Sequence, residues 1–146
     1  MTEKDLDKVL GIERQSFPTP WSKELFLSEL CLSQARAFVA TDAHDRVRGY
    51  LCFWLVADEA HILNLAVHPE QRKQGVAAQL LRYSLDYARK AGAGEATLEV
   101  RRSNYQAIGL YRNFQFEPRG IRRHYYSDTG EDAVIMSRVL GDDLPQ

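Results

Sequence analysis

The stretch from Ala60 to Ala88 constrains what this chain can fold into more than any other. Ala60 to Val67 is a strand-length run of mostly apolar residues. After the polar, glycine-bearing loop HPEQRKQG, apolar residues recur at helical spacing as Val76, Leu80, Leu81, Leu85 and Ala88, ending near Gly92. A strand that passes through a short loop into an amphipathic helix belongs to an α/β fold, because the helix must bury its stripe against a sheet. The flanking segments extend this pattern. Thr2 can cap a first helix that carries Leu6, Val9 and Leu10 and runs to about Ser16, and the prolines of FPTPW end it. Ser22 can cap a second helix with Leu25, Phe26 and Leu30 on its apolar face. Ala37 to Thr41 and Val47 to Ala57 read as a hairpin around AHDR, and Ala96 to Arg101 as a further strand. Asn104 then caps a helix to about Phe114, and residues 118 to 126 and 133 to 140 pair around SDTGED. The expected order is ααβββαβαββ.

With 146 residues and neither a repeat nor a linker, residues 1–146 are expected to form a single domain. A formal net charge of −1 supplies no field for polyanions, so a nucleic-acid partner is not expected. No apolar run reaches the roughly 20 residues of a membrane span, and no export segment is visible, so no membrane association and a cytoplasmic location are expected. Cys31 and Cys52 lie in apolar or amphipathic stretches and read as buried, reduced thiols. No H-x-x-x-H or C-x-x-C spacing points to a metal.

The loop before the Val76 helix has the composition of a phosphate site. Gly75 and Ala77 let a ligand approach the backbone, Arg72 and Lys73 add positive charge, and the unpaired N–H groups of a helix N-terminus attract an anion. A solvated basic turn is the alternative reading of the same residues. Neither G-x-G-x-x-G nor a Walker A spacing is present, which disfavours a Rossmann or P-loop enzyme.

Two motifs carry a more specific resemblance. Arg72-Lys73-Gln74-Gly75-Val76-Ala77 resembles the R/Q-x-x-G-x-G/A signature of the GNAT acetyltransferase superfamily. LEVRRSNYQAIGLYRNFQF, from Leu98 to Phe116, is similar to the L-E-V-R-x-S-N-x-x-A-x-x-L-Y-x-x-x-G-F stretch of its RimI-type branch, the ribosomal-protein-alanine N-acetyltransferases. The similarity extends from FPTPW to the end of RRHYYSDTGEDAVIM and departs from the pattern at Gln115, where that branch has glycine. The resemblance implies the GNAT fold: one mixed, mostly antiparallel twisted sheet with splayed central parallel strands and flanking helices. It implies acetyl-CoA as co-substrate, held by the backbone of Leu65, Ala66 and Val67, by Arg72, Lys73, Gln74, Gly75, Val76 and Ala77, and by Asn104. It implies Glu99 as general base and Tyr111 as the acid that protonates the leaving thiolate. The acceptor implied is a protein N-terminus, the N-terminal alanine of a small-subunit ribosomal protein, with Trp21, Tyr125 and Tyr126 along its groove.

Each assignment has an ordinary alternative. Glu99 could be a surface carboxylate paired with Arg101, Asn104 only a helix cap, and Tyr111, Trp21, Tyr125 and Tyr126 core aromatics. Lysine or a small free amine could be the acceptor, or the chain could bind acyl-CoA without turnover. A carboxylate with an ordinary pKa of about 4.3 is a weak base for an ammonium, so burial or a water is expected to assist Glu99. An α-amine, at about 7.7 to 8.0, suits such a base better than lysine at about 10.4. His61, on the strand beside the opening, is a candidate second proton relay.

Overall fold

The computed structural model describes residues 1–141. A 3-10 turn over Glu3–Asp5 leads into α1 (Leu6–Ser16), followed by α2 (Lys23–Leu30), β1 (Ala35–Thr41), β2 (Val47–Val56) and β3 (Glu59–Val67). Then come a 3-10 turn over Pro69–Gln71, α3 (Val76–Lys90), β4 (Glu95–Arg101), α4 (Tyr105–Asn113), β5 (Glu117–Tyr126) and β6 (Glu131–Val139). The order of helices and strands is the one expected from the sequence. The six strands form one sheet in the order β1-β2-β3-β4-β6-β5. Every neighbouring pair is antiparallel except β3 with β4, where a crossover through α3 requires parallel pairing.

Period-two alternation gives the sheet two apolar faces, each covered by helices. On one face Leu6, Val9, Leu10 and Ile12 of α1 and Phe26 of α2 pack on Tyr50, Cys52 and Ala66. On the other, Leu80, Leu81 and Leu85 of α3 and Tyr111 of α4 meet Leu51, Phe53, Ile62, Leu98 and Met136. Cys52 is buried as expected, whereas Cys31 is exposed. The amphipathic pattern around Cys31 extends past the point where the helix stops: Cys31 is the C-terminal cap of α2, outside the stripe that faces the sheet.

The end of α4 shows why glycine is favoured at the position of Gln115. Phe116 N–H donates to Tyr111 O and Gln115 N–H donates to Arg112 O, a Schellman closure, with the Phe116 ring 5.7 Å from that of Tyr111. The closure places Gln115 at φ +69°, a left-handed conformation that favours glycine. Gln115→Gly is therefore expected to stabilise the protein by about 0.5–1 kcal/mol, the relief of left-handed strain less the extra entropy of glycine. Thermal unfolding should register a rise of roughly 2–4 °C. An unchanged or lower midpoint would mean that the glutamine side chain makes compensating contacts.

Candidate active site

The site begins with an interruption in the sheet. β3 and β4 pair only from Glu59–Ile62 to Glu95–Leu98. At the next position β3 carries an extra residue: Ile62 faces Phe53 and Asn64 faces Cys52, leaving Leu63 without a partner on β2. Such a bulge bends a strand and increases its twist. Beyond it β3 pairs only with β2 and β4 only with β6, so a wedge opens between them. Two cavities of about 780 Å³ and 380 Å³ occupy the wedge, and they share Ser16, Phe17, Leu65, Asn104, Ala107 and Tyr111 in their walls.

The larger chamber runs from Leu65, Ala66 and Val67 to the start of α3, where Arg72, Lys73, Gly75, Val76 and Ala77 line it. Gly75 is the N-cap of α3 at φ +80°, with open space where a Cβ would stand, so the backbone conformation rather than crowding calls for glycine. No side chain caps this helix. Its first N–H groups present partial positive charge to the chamber, as an anion site requires. Arg72 Nε donates to Val67 O (3.2 Å), which ties the loop to the strand end. At Gly49 a Cβ would come within 2.8 Å of Ala66 O, so glycine permits the close approach of β2 behind the chamber wall. Gln74 is not part of that wall: its Oε1 accepts from Arg48 Nη2 at 3.2 Å.

The smaller chamber is lined by Glu99, Val100 and Arg101 of β4, by Phe17 to Thr19 and Trp21 between α1 and α2, and by Tyr125 and Tyr126. Glu99, Trp21, Tyr125 and Tyr126 thus surround one space. Glu99 does not pair with Arg101. Its Oε2 accepts from His61 Nε2 at 2.6 Å, and Arg122 Nε lies 3.5 Å from Oε1. The His61 hydrogen bond holds the Glu99 carboxyl below the usual carboxylate range, outweighing the burial that pushes it up. Burial therefore does not raise its basicity, contrary to the expectation from sequence. The same hydrogen bond raises His61 above its ordinary value, against desolvation.

Arg101 turns to the β5–β6 hairpin. It donates to Asp128 at 2.7 Å and lies 4.0 Å from the centre of the Tyr126 ring. Hydrogen bonding from Arg101 lowers the Asp128 carboxyl to about 2. Thr19 Oγ1 donates to the same Asp128 oxygen at 2.9 Å, so the two walls of the chamber are joined across its mouth.

Asn104 and Tyr111 reach both chambers from α4, as their seven-residue spacing predicts, while Ala107 rather than Ile108 completes that face. Asn104 Oδ1 also accepts from Ala107 N–H (3.2 Å), so it caps the helix and lines the cavities together. Burial holds the Tyr111 phenol well above its ordinary value, which keeps it protonated and able to donate. Among the described residues no group of three or more His, Cys, Asp or Glu side chains could hold a metal ion.

Sequence reasoning missed Glu13. It is 1% exposed, lines the smaller chamber, and its carboxylate accepts from Tyr50 Oη, from Asn64 Nδ2 (3.0 Å) and from Trp21 N–H (2.9 Å). A glutamate at the end of the α1 stripe was the available signal, since a charged residue in a buried register needs partners.

A model of the Acetyltransferase (GNAT) family matches residues 6–116. The chain belongs to this family. GNAT acetyltransferases use acetyl-CoA. A protein of Bacillus subtilis (strain 168), provisionally named a [ribosomal protein bS18]-alanine N-acetyltransferase, is 40% identical over 93% of this chain and 90% of its own length. The [ribosomal protein bS18]-alanine N-acetyltransferase of Escherichia coli (strain K12) is 34% identical over 91% of this chain and 90% of its own. The crystal structure of the Escherichia coli ribosomal-protein-S18-alanine N-acetyltransferase superposes with a TM-score of 0.88 at 33% identity, covering 98% of this chain and 92% of that one. The wedge between β3 and β4, the glycine-started α3 and the single mixed sheet are accordingly this chain's version of the GNAT fold.

Proposed function

We propose that this GNAT acetyltransferase moves the acetyl group of acetyl-CoA to the N-terminal α-amine of a protein, the N-terminal alanine of a small-subunit ribosomal protein. The observation that carries the reading is the meeting of two chambers at Leu65, Asn104 and Tyr111, one ending at an uncapped helix start and the other holding Glu99. The pyrophosphate of the coenzyme fits the N-terminus of α3 with Arg72, Lys73, Gly75, Val76 and Ala77, and the pantetheine arm fits along Leu65, Ala66 and Val67 beside Asn104. The thioester then lies where the chambers join, with Tyr111 placed to protonate the departing thiolate and Glu99 placed to take the proton of the amine. Trp21, Tyr125 and Tyr126 form the walls along which the acceptor chain leaves the site. Substrates of the relatives named above support the choice of acceptor. In this reading residues 1–146 act as one domain.

The test is to incubate the protein and acetyl-CoA with peptides that begin with the alanine-initiated N-terminus of bS18, with N-terminally blocked lysine peptides and with polyamines, and to read products by mass. Acetylation confined to the free N-terminus is expected. Preference for lysine or polyamine acceptors would overturn the N-terminal assignment, and binding of acetyl-CoA without any product would reduce the chain to an acyl-CoA-binding module.

A further inference from the structure

The depressed carboxyl of Glu99 leaves a chemical problem, because an α-ammonium at about 7.7 to 8.0 gives up its proton poorly to so weak a base. The arrangement behind Glu99 offers an answer. Glu99 lies in the wall of the smaller chamber with its side chain 11% exposed, whereas His61 is outside that wall with its side chain 30% exposed. The carboxylate is thus bonded at 2.6 Å to a neighbour more exposed to solvent than itself. We propose that Glu99 and His61 act as one proton-accepting unit, in which Glu99 faces the acceptor amine and His61 receives the proton and returns it to solvent. This rests on the acetyl-transfer reading given above.

The step moves a single proton. The ammonium loses it to Glu99, and the neutral imidazole, once its Nε2 proton has moved to Nδ1 by exchange with solvent, accepts the carboxyl proton at Nε2. The imidazolium then releases one from its exposed edge. The carboxylate is regenerated, and the neutral amine attacks the thioester. Two groups coupled this closely titrate as a pair, and the conjugate acid of the pair is the imidazolium beside the carboxylate. The unit is therefore competent only above the pKa of His61, which the carboxylate lifts above the ordinary 6.5 and so toward that of the α-amine. The other charged groups bearing on His61 are Glu59 of β3, which raises it further, and Arg122 of β5, which opposes. On β2 the residue opposite is Trp54, whose Nε1 donates to Glu29 of α2 at 2.7 Å.

His61→Gln keeps an N–H donor for Glu99 but cannot titrate. With saturating acceptor peptide, so that ionisation of the peptide is common to both proteins, kcat near pH 8 should fall about tenfold, less than the 10²–10⁴ of a complete general base. The acid limb of the kcat profile should move down toward the carboxylate range, a change that a merely structural histidine would not produce. Unchanged acetyl-CoA affinity serves as the check on folding. NMR titration of the histidine rings gives a readout independent of activity: His61 should titrate above 6.5 and drop in Glu99→Gln. A normal rate and an unmoved acid limb in His61→Gln, or a His61 that titrates at or below 6.5 in the unsubstituted protein, would overturn the proposal. If the unsubstituted protein acetylates no acceptor, the functional reading fails instead, and the ring titration still decides whether the pair exists.

Discussion

Glu99→Gln is expected to cut kcat by 10²-fold or more while leaving acetyl-CoA affinity nearly unchanged. Glutamine keeps the shape of the side chain and an oxygen that accepts from His61 Nε2, so the chamber wall stays in place. What disappears is the proposed acceptor of the amine's proton, and general bases contribute about 10²–10⁴ to rate. The larger chamber, proposed to hold the coenzyme, is lined by other residues, which is why acetyl-CoA affinity should hold. Steady-state kinetics beside calorimetric titration with acetyl-CoA would check both halves. A kcat equal to that of the unsubstituted protein would remove the carboxylate from the chemistry.

Glu13→Ala is expected to destabilise the protein by about 3 kcal/mol or more. Three donors, Tyr50 Oη, Asn64 Nδ2 and Trp21 N–H, would lose their acceptor, each at about 1–3 kcal/mol unless water from the adjoining chamber replaces it. The melting midpoint should fall by roughly 6–12 °C. The bond to Trp21 N–H also fixes the segment between α1 and α2 that walls the smaller chamber, so if the acceptor enters there as proposed, KM for the peptide should rise more than KM for acetyl-CoA. Glu13→Gln should fall between, since its amide offers one accepting oxygen where the carboxylate has two. A midpoint within a degree of the unsubstituted protein would show that the network contributes nothing to stability.

The architecture was legible because its signals are local. The period change around HPEQRKQG, the prolines after Ser16 and the cap at Asn104 each act within a few residues, and each appears in the fold. The meeting of Glu99, Asn104 and Tyr111 around one opening was what the resemblance implied, with the seven-residue spacing from Asn104 to Tyr111 in support, whereas alternation along β4 by itself left Glu99 an ordinary surface carboxylate. What stayed hidden depends on register between distant segments. The bond between His61 and Glu99 joins residues 38 apart and exists because His61 stands opposite Thr97 in the parallel ladder. Glu13 meets donors 37 and 51 positions away, and nothing near it in sequence announces them. Leu63 is apolar in an apolar run, so an extra residue there leaves no trace in the pattern. Gln74 sits inside the motif yet turns to Arg48, because a motif specifies backbone path more tightly than side-chain direction.

The single unmatched residue at Leu63 gives the molecule something most sheets possess only at their margins. Two rows of main-chain donors and acceptors face each other in its middle, between faces that helices cover on both sides. A slender molecule that bonded to both rows would supply the missing rungs and lace the halves of the sheet together, so a protein filled in this way should be stiffer than an empty one.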